Sequence, residues 1–306
     1  MTLVDVHQHL WTDALLDRLA ERDRLPFVRR QDGLTILHSA AEQPYVIDVT
    51  AEAPDRRGEL VHADGLDLAV LALSSPIGIE ALPRQSALEL IEAFFEGTAG
   101  LPEGFSSWGP VALDGAEPDE VDDALARGCV GISLPAGALA GPDRVWAVGP
   151  VLERAAARGV PVFVHPGRAP GERFAEAAFG EPLWWRALTD YVNQMQAAWL
   201  GFVAFARRDH PELTAVFAMM AGGAPLLSER LAVRGGPAVE LHDPRIFYDT
   251  SSYGPGAIDA MAARVGAVQL VYGSDRPVVE PVRTPADRAL QENGERLLFG
   301  RVGAAA

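Results

Sequence analysis

Eight short runs of β-branched and apolar residues recur along this sequence, and segments with helical periodicity separate them. The runs are TLVDVH (2–7), DLAVLALSS (67–75), SSWGPVAL (106–113), GCVGISLP (128–135), VPVFVH (160–165), LTAVFAM (213–219), RIFYDTSS (245–252) and VQLVYGSD (268–275). Strands that alternate with helices predict parallel βαβ units. Eight such units in 306 residues predict an α/β fold, a (β/α)8 TIM barrel forming one domain over residues 1–306. An open, doubly wound sheet is the alternative, and the count of eight favours the barrel.

The segments between these runs carry ordinary helix start and stop signals. ALELIEAFFEG (87–97) and VGPVLERAAARG (148–159) each end at a glycine, and DEVDDALARG (119–128) opens with acidic residues after Pro118. Acidic side chains favour the first turn of a helix, and glycine favours its C-terminal end. These signals predict three of the helices that separate the strands.

About 60 residues separate the first run from the second, which is longer than one crossover needs. We interpret residues 11–52 as an insertion after the first strand. Within it, Asp32-Gly33 lies between the β-rich halves of FVRRQDGLTILH (27–38), which predicts a β-hairpin. Insertions at this end of a barrel strand lie over the active-site face, so the sequence predicts a small β-hairpin flap there.

The composition excludes several kinds of chemistry. All 26 basic residues are arginine, so a Schiff-base lysine, a carbamylated lysine bridging two metals and a P-loop lysine are all excluded. One cysteine, Cys129, excludes an internal disulfide and a Cys-rich zinc module. The cysteine usage fits a reducing compartment.

The charge balance and hydropathy indicate where such a chain works and what it binds. A net charge of −16 argues against nucleic acid and against anionic membrane surfaces as partners. No apolar stretch approaches the roughly 20 residues of a membrane helix, and no signal peptide is visible at the N-terminus. We therefore expect a cytoplasmic protein whose partners are small molecules.

Two histidines lie close together at the end of the first run, in VDVHQHL. Residues i and i+2 of a strand share a face, so His7 and His9 point the same way, with Asp5 one layer deeper. This pair could chelate one divalent ion, or it could be two polar barrel residues with ordinary hydrogen-bond partners. The H-x-H pattern alone does not decide between them.

Two other strand ends complete a ligand set. The fifth run ends at His165 and the eighth at Asp275. In a barrel the C-terminal ends of the strands surround one mouth, so these residues and the first-strand histidines lie together. Three imidazoles and one carboxylate suit Zn²⁺, Mn²⁺ or Fe²⁺, and such an ion polarises oxygens and activates water.

The sequence resembles the amidohydrolase-related family that contains aminocarboxymuconate-semialdehyde decarboxylase. The resemblance covers most of the chain and rests on six motifs, DVHQH (5–9), HPG (165–167), AGGAPLLSERL (221–231), YDTS (248–251), GSDRP (273–277) and ENGERLLFG (292–300). It implies a (β/α)8 barrel with one divalent metal, zinc being expected first, held by His7, His9, His165 and Asp275. It also implies a homodimer and a small carboxylate-bearing substrate.

One position departs from the family's pattern. The family carries a histidine at the end of the sixth strand, in H-x-G-G, where this sequence has Met220 in MAGG. A thioether cannot move a proton, so the family's usual acid–base step is in doubt while the ligands remain. Met220 then becomes a candidate substrate contact, and we expect Met219 to pack in the core.

Asp275 is the first candidate to replace the missing acid–base group, since related hydrolases use this aspartate to accept a proton from water. Asp249, in FYDTSS, is the second catalytic candidate, although a cap or turn role is the alternative. Glu172 is a distant third.

Three further residues are candidates for binding the substrate. Arg168 follows His165 by three residues and Arg276 follows Asp275 directly, so either guanidinium could hold a substrate carboxylate. A surface ion pair is the alternative for each. Trp11, two residues after His9, is expected to line the pocket.

Three functions compete on this sequence. The first is a metal-dependent hydrolase of a small carboxylate-bearing ester, lactone or amide, with Asp275 taking the proton. The second is a nonoxidative decarboxylase or hydratase, which depends more on a proton donor near the metal. The third is a catalytically silent barrel that binds metal and ligand, which the methionine at position 220 favours.

Overall fold

Eight parallel strands form a ring in the computed structural model, which describes residues 1–40, 42–172 and 180–300. In chain order the strands are β1 (Val4–Gln8), β2 (Phe27–Gln31), β3 (Leu34–His38), β4 (Tyr45–Ile47), β5 (Leu68–Leu71), β6 (Phe105–Pro110), β7 (Gly131–Pro135), β8 (Val162–His165), β9 (Ala215–Phe217), β10 (Ile246–Asp249) and β11 (Leu270–Val271). The ring has the order β1-β5-β6-β7-β8-β9-β10-β11, and its neighbouring strands are parallel. The Val6 N–H donates to the carbonyl of Tyr272 (2.9 Å), which joins the segment after β11 back to β1. The predicted (β/α)8 barrel is confirmed.

Helices alternate with the strands of the ring. In chain order they are α1 (Asp13–Ala20), α2 (Pro54–Ala63), α3 (Arg84–Thr98), α4 (Asp119–Ala126), α5 (Pro142–Arg158), α6 (Trp185–Leu188), α7 (Asp190–Gly201), α8 (Arg207–Asp209), α9 (Ser228–Val233), α10 (Pro255–Val265) and α11 (Asp287–Phe299). A π-helical turn, Phe202–Ala206, joins α7 to α8. Within the described ranges, no helix combines the length and the apolar character that crossing a bilayer requires.

Helix α5 begins earlier than its sequence pattern predicts. The periodicity indicates a start near Val148, whereas the helix starts at Pro142, directly after Gly141. Proline suits a first turn because the N–H it lacks has no acceptor inside the helix. The bond that the internal Pro150 cannot make would go to the carbonyl of Trp146, whose side chain is 73% exposed, so water can satisfy that group.

A three-stranded antiparallel sheet, residues 27–47, follows α1, and we call it the flap. Its first two strands pair from Phe27 opposite His38 to Gln31 opposite Leu34. The turn between them is Asp32-Gly33, whose φ angles of 52° and 78° are those of a tight hairpin turn. β4 then pairs antiparallel with β3.

Aromatic side chains fill the inside of the barrel below its mouth. Trp108 on β6 and Phe163 on β8 are fully buried and stack with ring centroids 5.3 Å apart. The Trp108 indole N–H donates to the carbonyl of Val6 (2.9 Å), and Phe163 contacts the ring of His7 with centroids 5.0 Å apart. This packed layer is a rigid floor for the polar residues above it.

Candidate metal centre

Four side chains converge at the C-terminal mouth of the barrel, namely His7, His9, His165 and Asp275, and their candidate ligand atoms all lie within 4.8 Å of one another. The Nε2 atoms of His7 and His9 are 3.2 Å apart. Asp275 Oδ1 lies 3.4 Å from His7 Nε2 and 3.2 Å from His9 Nε2. The three histidines are almost fully buried, and the aspartate is only slightly exposed.

These separations suit a single divalent ion. Two ligands about 2.0–2.1 Å from one ion are about 3.3 Å apart at a tetrahedral angle. The three distances of 3.2–3.4 Å between ring nitrogens and carboxylate oxygen match that spacing. One cation at their centre would satisfy all of these atoms together, and nitrogen and oxygen donors suit Zn²⁺, Mn²⁺ or Fe²⁺.

Each histidine is oriented through its other ring nitrogen. His7 Nδ1 lies 2.7 Å from Asp249 Oδ2, His9 Nδ1 lies 2.8 Å from the carbonyl of Ala72, and His165 Nδ1 lies 3.0 Å from that of Pro166. An Nδ1–H that donates to an oxygen leaves Nε2 as the free lone pair. Such partners fix the tautomer and the ring orientation of metal-binding histidines.

The charges around the cluster favour a positive group at its centre. Burial alone would lower the pKa of His7, but the carboxylates of Asp249 and Asp275 raise it to about 9. Burial and the neighbouring charges of His7 and His9 hold the pKa of His165 well below its usual value. Without an ion, a proton on His7 offsets the two carboxylates, and a bound cation takes over that role.

Asp5 joins the two strand ends that carry the ligands. Its Oδ1 accepts from the backbone N–H groups of His7 (3.0 Å) and Ser274 (3.1 Å), and its Oδ2 accepts from Gln8 Nε2 (2.8 Å). It is fully buried, and burial raises its pKa against these hydrogen bonds. The position one layer below the histidines agrees with the strand geometry that the sequence predicts.

A buried ion pair clamps the same strand from α2. Arg57 Nη1 donates to the carbonyl of His9 (2.9 Å), and its Nη2 donates to Gln8 Oε1 (2.8 Å). Arg57 also pairs with Glu52 (3.1 Å), which accepts from the backbone N–H of Trp11. The sequence does not predict this pair, because nothing in the arginines of a helix shows which of them turns inward or which strand end it reaches.

The pairing of β1 is irregular beside the ligand-bearing residues. The pairing of β1 with β5 shifts register between Asp5 and Gln8, so one extra β1 residue is accommodated there. Bulges of this kind recur near active sites because they redirect a side chain. Beyond the bulge, the His9 N–H donates to the backbone carbonyl of Arg276 (2.7 Å), and the Asp275 N–H donates to that of His7 (2.9 Å). These bonds hold β1 and the segment after β11 together.

An enclosed cavity of about 90 Å³ lies directly above the cluster. Trp11, Ile77 and Val278 form apolar walls, and the flap closes the outer side. A small substrate fits this space.

Polar residues that the sequence did not predict also line the cavity, among them Glu42 of the flap and Tyr191 of α7. The tyrosine hydroxyl donates to the Glu42 carboxylate. The predicted position of the insertion over the mouth was only a weak indication that one of its acidic residues lines the cavity. No local pattern pairs two side chains so far apart in the sequence.

The predicted site residues divide between the cavity and its surroundings. Trp11 lines the cavity, and Asp249 is fully buried behind His7, accepting also from the Ser251 N–H (2.7 Å). Arg276 pairs with Asp64 (3.3 Å) and Glu280 (2.9 Å) instead of lining the cavity.

Arg168 lies beside the loop after β5. Its guanidinium packs against Gly78, where an added Cβ would come within 2.9 Å of Nε. Burial lowers its pKa, and the charge of Glu172 opposes that change. Glu172 itself accepts from the Ala169 N–H (2.9 Å), and neither it nor Arg168 lines the cavity.

The segment after β9 has a left-handed backbone. Five consecutive residues, Met219 to Gly223, have φ between 48° and 77°. Side chains disfavour this conformation by about 1–2 kcal/mol per residue, so the surroundings must enforce it. At Gly222 a Cβ would come within 2.7 Å of the carbonyl of Val192.

This turn decides which methionine meets the cavity. Met219 packs against the core while also lining the cavity, whereas Met220 is 2% exposed and lies within the core. The thioether that lines the cavity together with the candidate metal ligands is therefore that of Met219, although the sequence motif aligns Met220 with the family's histidine.

No family model matches the sequence, and no curated protein matches it. Solved structures do match. IDCase of Metarhizium anisopliae aligns with a TM-score of 0.72 at 18% identity, covering 99% of this chain and 93% of that one. The 5-carboxyvanillate decarboxylase of Sphingomonas paucimobilis aligns with a TM-score of 0.64 at 16% identity, covering 97% and 98%.

The 5-carboxyvanillate decarboxylase of Novosphingobium aromaticivorans, a structure with bound manganese and a nitrobenzoic acid, aligns with a TM-score of 0.63 at 18% identity, covering 79% of this chain and 80% of that one. Other similar structures include a 2,6-dihydroxybenzoate decarboxylase, an amidohydrolase II and a 4-oxalomesaconate hydratase. At these identities the likeness establishes the fold. The barrel that the resemblance to the amidohydrolase-related family implies is the fold that these structures share with the chain.

Proposed function

We propose that this protein is a metal-dependent enzyme that decarboxylates a small carboxylic acid without an oxidant. The observation that carries the proposal is the cluster of His7, His9, His165 and Asp275, each imidazole anchored through Nδ1, at the floor of an enclosed cavity. Most of the similar solved structures named above are decarboxylases, with one hydratase and one amidohydrolase II, and this majority favours decarboxylation over hydrolysis.

One divalent ion would bind to these four side chains, with zinc the first candidate and manganese, present in a similar structure, the second. When bound, it would supply positive charge that holds the substrate's oxygens and withdraws electrons from the reacting carbon. Among the described residues that line the cavity, no arginine side chain is present. A cation held by the four candidate ligands would therefore supply the positive charge for a substrate carboxylate.

The surrounding residues position the substrate and exclude water. Trp11, Ile77 and Met219 present apolar surface to the cavity, and the flap covers its outer side. Exclusion of water strengthens each electrostatic contact inside the cavity. Asp249 holds the His7 ring in place from behind, so it acts through that ligand.

Hydrolysis of a small carboxylate-bearing ester, lactone or amide is the second candidate. Asp275 favours it, because its carboxylate faces the cavity at the centre of the cluster and could accept a proton from an attacking water. This chemistry needs no histidine at the end of the sixth strand of the barrel.

Metal analysis and two parallel assays test the proposal. Protein purified without chelator should contain about one divalent ion per chain, and chelation should abolish CO₂ release from a panel of aromatic and unsaturated acids. His7→Asn should lose both metal and activity, whereas His62→Asn, an exposed histidine of α2, should keep both.

Cleavage of esters or lactones without CO₂ release would establish the second candidate instead. A fully metal-loaded protein that turns over neither panel would be the catalytically silent barrel, and the proposal would fail.

A further inference from the structure

The cavity holds few side chains that can exchange a proton with a substrate. The end of β9 contributes a methionine where the resembling family has a histidine. Apart from the candidate ligands, the described lining residues with an ionisable proton are Glu42, Tyr45 and Tyr191.

Glu42 is held by partners on both sides of the cavity mouth. The Tyr191 hydroxyl donates to Glu42 Oε1, which joins the flap to the start of α7. The next flap residue, Gln43, donates from Nε2 to the carbonyl of Glu181 (3.0 Å). These two bonds fasten the flap edge over the cavity, so the carboxylate is fixed in place.

The two tyrosines keep their protons. Burial raises the pKa of Tyr191 well above its usual value, and the adjacent Glu42 raises it further. Burial also raises the pKa of Tyr45, with the charges of Glu52 and Glu42 acting in the same direction. The phenols are therefore hydrogen-bond donors, and the carboxyl of Glu42 is the group of the three suited to acid–base work.

Glu42 also has access to solvent. It is an exposed residue at the flap edge, although it contributes to the cavity wall. A group placed in this way can deliver a proton inward and regain one from bulk water between turnovers.

We infer that Glu42 is the general acid of the reaction, supplied by the flap in place of a strand-end histidine, and that Tyr191 is its positioning residue. This inference rests on the proposed decarboxylation. The Glu42 carboxyl takes up a proton from bulk water and transfers it to the substrate carbon that bears the carboxylate. The bond from that carbon to the carboxylate breaks, its electron pair forms the new C–H bond with this proton, and CO₂ leaves. Glu42 remains as a carboxylate, which the Tyr191 hydrogen bond stabilises, and it takes its next proton from water.

Replacement of Glu42 in the metal-loaded enzyme tests this role. Glu42→Gln should lower kcat for CO₂ release by about 10²- to 10⁴-fold, with KM and metal content nearly unchanged. Glu42→Ala should be equally inactive and should regain activity with added formate, which fits the space left by the side chain. Glu59→Gln, an exposed carboxylate of α2, is the matched control and should leave kcat unchanged.

Tyr191→Phe separates positioning from folding. It should lower kcat roughly 10- to 100-fold with little change in KM, the effect of losing one hydrogen bond to a charged group. In the Glu42→Gln background the same replacement should have no further effect, because the hydroxyl acts through the carboxyl.

Wild-type activity in the same assay distinguishes a failure of the role of Glu42 from a failure of the proposed decarboxylation. A wild-type enzyme that releases CO₂ while Glu42→Gln matches it within about threefold overturns the role of Glu42 and leaves the proposed function standing. Failure of formate to rescue Glu42→Ala, or independent effects of the two replacements, also overturns it. A metal-loaded wild type that releases no CO₂ overturns the proposed function, and this inference with it.

Discussion

Replacing Arg57 with methionine should destabilise the fold and weaken metal binding at the same time. The guanidinium is 2% exposed and its partner Glu52 is 5% exposed, so the substitution leaves a buried carboxylate without its counter-charge. Breaking a buried pair in this way costs about 3–5 kcal/mol. Arg57 also donates to the carbonyl of His9 and to Gln8, so the end of β1 loses two further anchors.

The loss of Arg57 should also lower the metal affinity, through its effect on His9. Outer partners of metal ligands are worth about 10- to 100-fold in affinity, and the Arg57 bond holds the backbone of this ligand. We expect a lower urea midpoint for the metal-free Arg57→Met variant. We also expect its metal dissociation constant to rise by about 10- to 100-fold. Both can be measured on one preparation by denaturant titration and by competition with a chromophoric chelator.

The double variant Arg57→Met/Glu52→Gln separates charge from packing. Glutamine keeps an acceptor for the Trp11 N–H and removes the unpaired charge, so most of the lost stability should return. Metal affinity should recover less, because the carbonyl of His9 still lacks its donor. A single variant within about 1 kcal/mol of wild type would refute this reasoning, as would a double variant no more stable than the single one.

Three further replacements or conditions test other parts of the site. Asp249→Asn should raise the metal dissociation constant about 10- to 100-fold while the circular dichroism spectrum stays unchanged, because His7 loses the carboxylate behind its Nδ1; an unchanged constant would contradict that role. In the metal-free protein the folded-state pKa of His7 is raised from 6.5 to about 9, so its contribution to stability is complete below pH 6.5 and disappears as the pH rises through about 9. Thermal midpoints measured with chelator should therefore fall over that interval, and His7→Gln should flatten the decline. Met219→His should raise turnover more than Met220→His, since Met219 lines the cavity whereas Met220 is 2% exposed in the core. An imidazole at position 220 should instead lower the unfolding midpoint. The reverse order of activities would mean that the sequence motif identifies the reacting position better than the backbone does.

The barrel and its four candidate ligands could be predicted because both depend on short-range patterns. Each of the eight apolar runs overlaps one strand of the ring, and strand periodicity alone places His7 and His9 on one face. His165 and Asp275 were found because the C-terminal ends of parallel strands meet at one mouth. Only the geometry of the barrel was needed to bring these residues together.

The rest of the site depends on contacts that local patterns do not contain. The bond between Glu42 and Tyr191 joins a flap to a helix across the mouth, and its existence depends on how the flap folds over. The exchange of Met219 for Met220 at the cavity has another cause. A left-handed turn reverses the side-chain directions that an ordinary strand end predicts, and the sign of φ at a methionine leaves no mark in the sequence.

The backbone hydrogen bonds between β1 and the segment after β11 have a consequence for how the chain folds. The Asp275 N–H donates to the carbonyl of His7, and both residues offer ligand atoms to the same centre, yet His7 lies on the first strand of the ring and Asp275 follows the last. Contacts between such distant parts of a chain form late in folding, because closing a long loop is entropically unfavourable. A cation bound there would stabilise the contact between β1 and the segment after β11, which closes the barrel. Refolding with and without metal should therefore differ most in the last kinetic phase, after the interior strands have already paired.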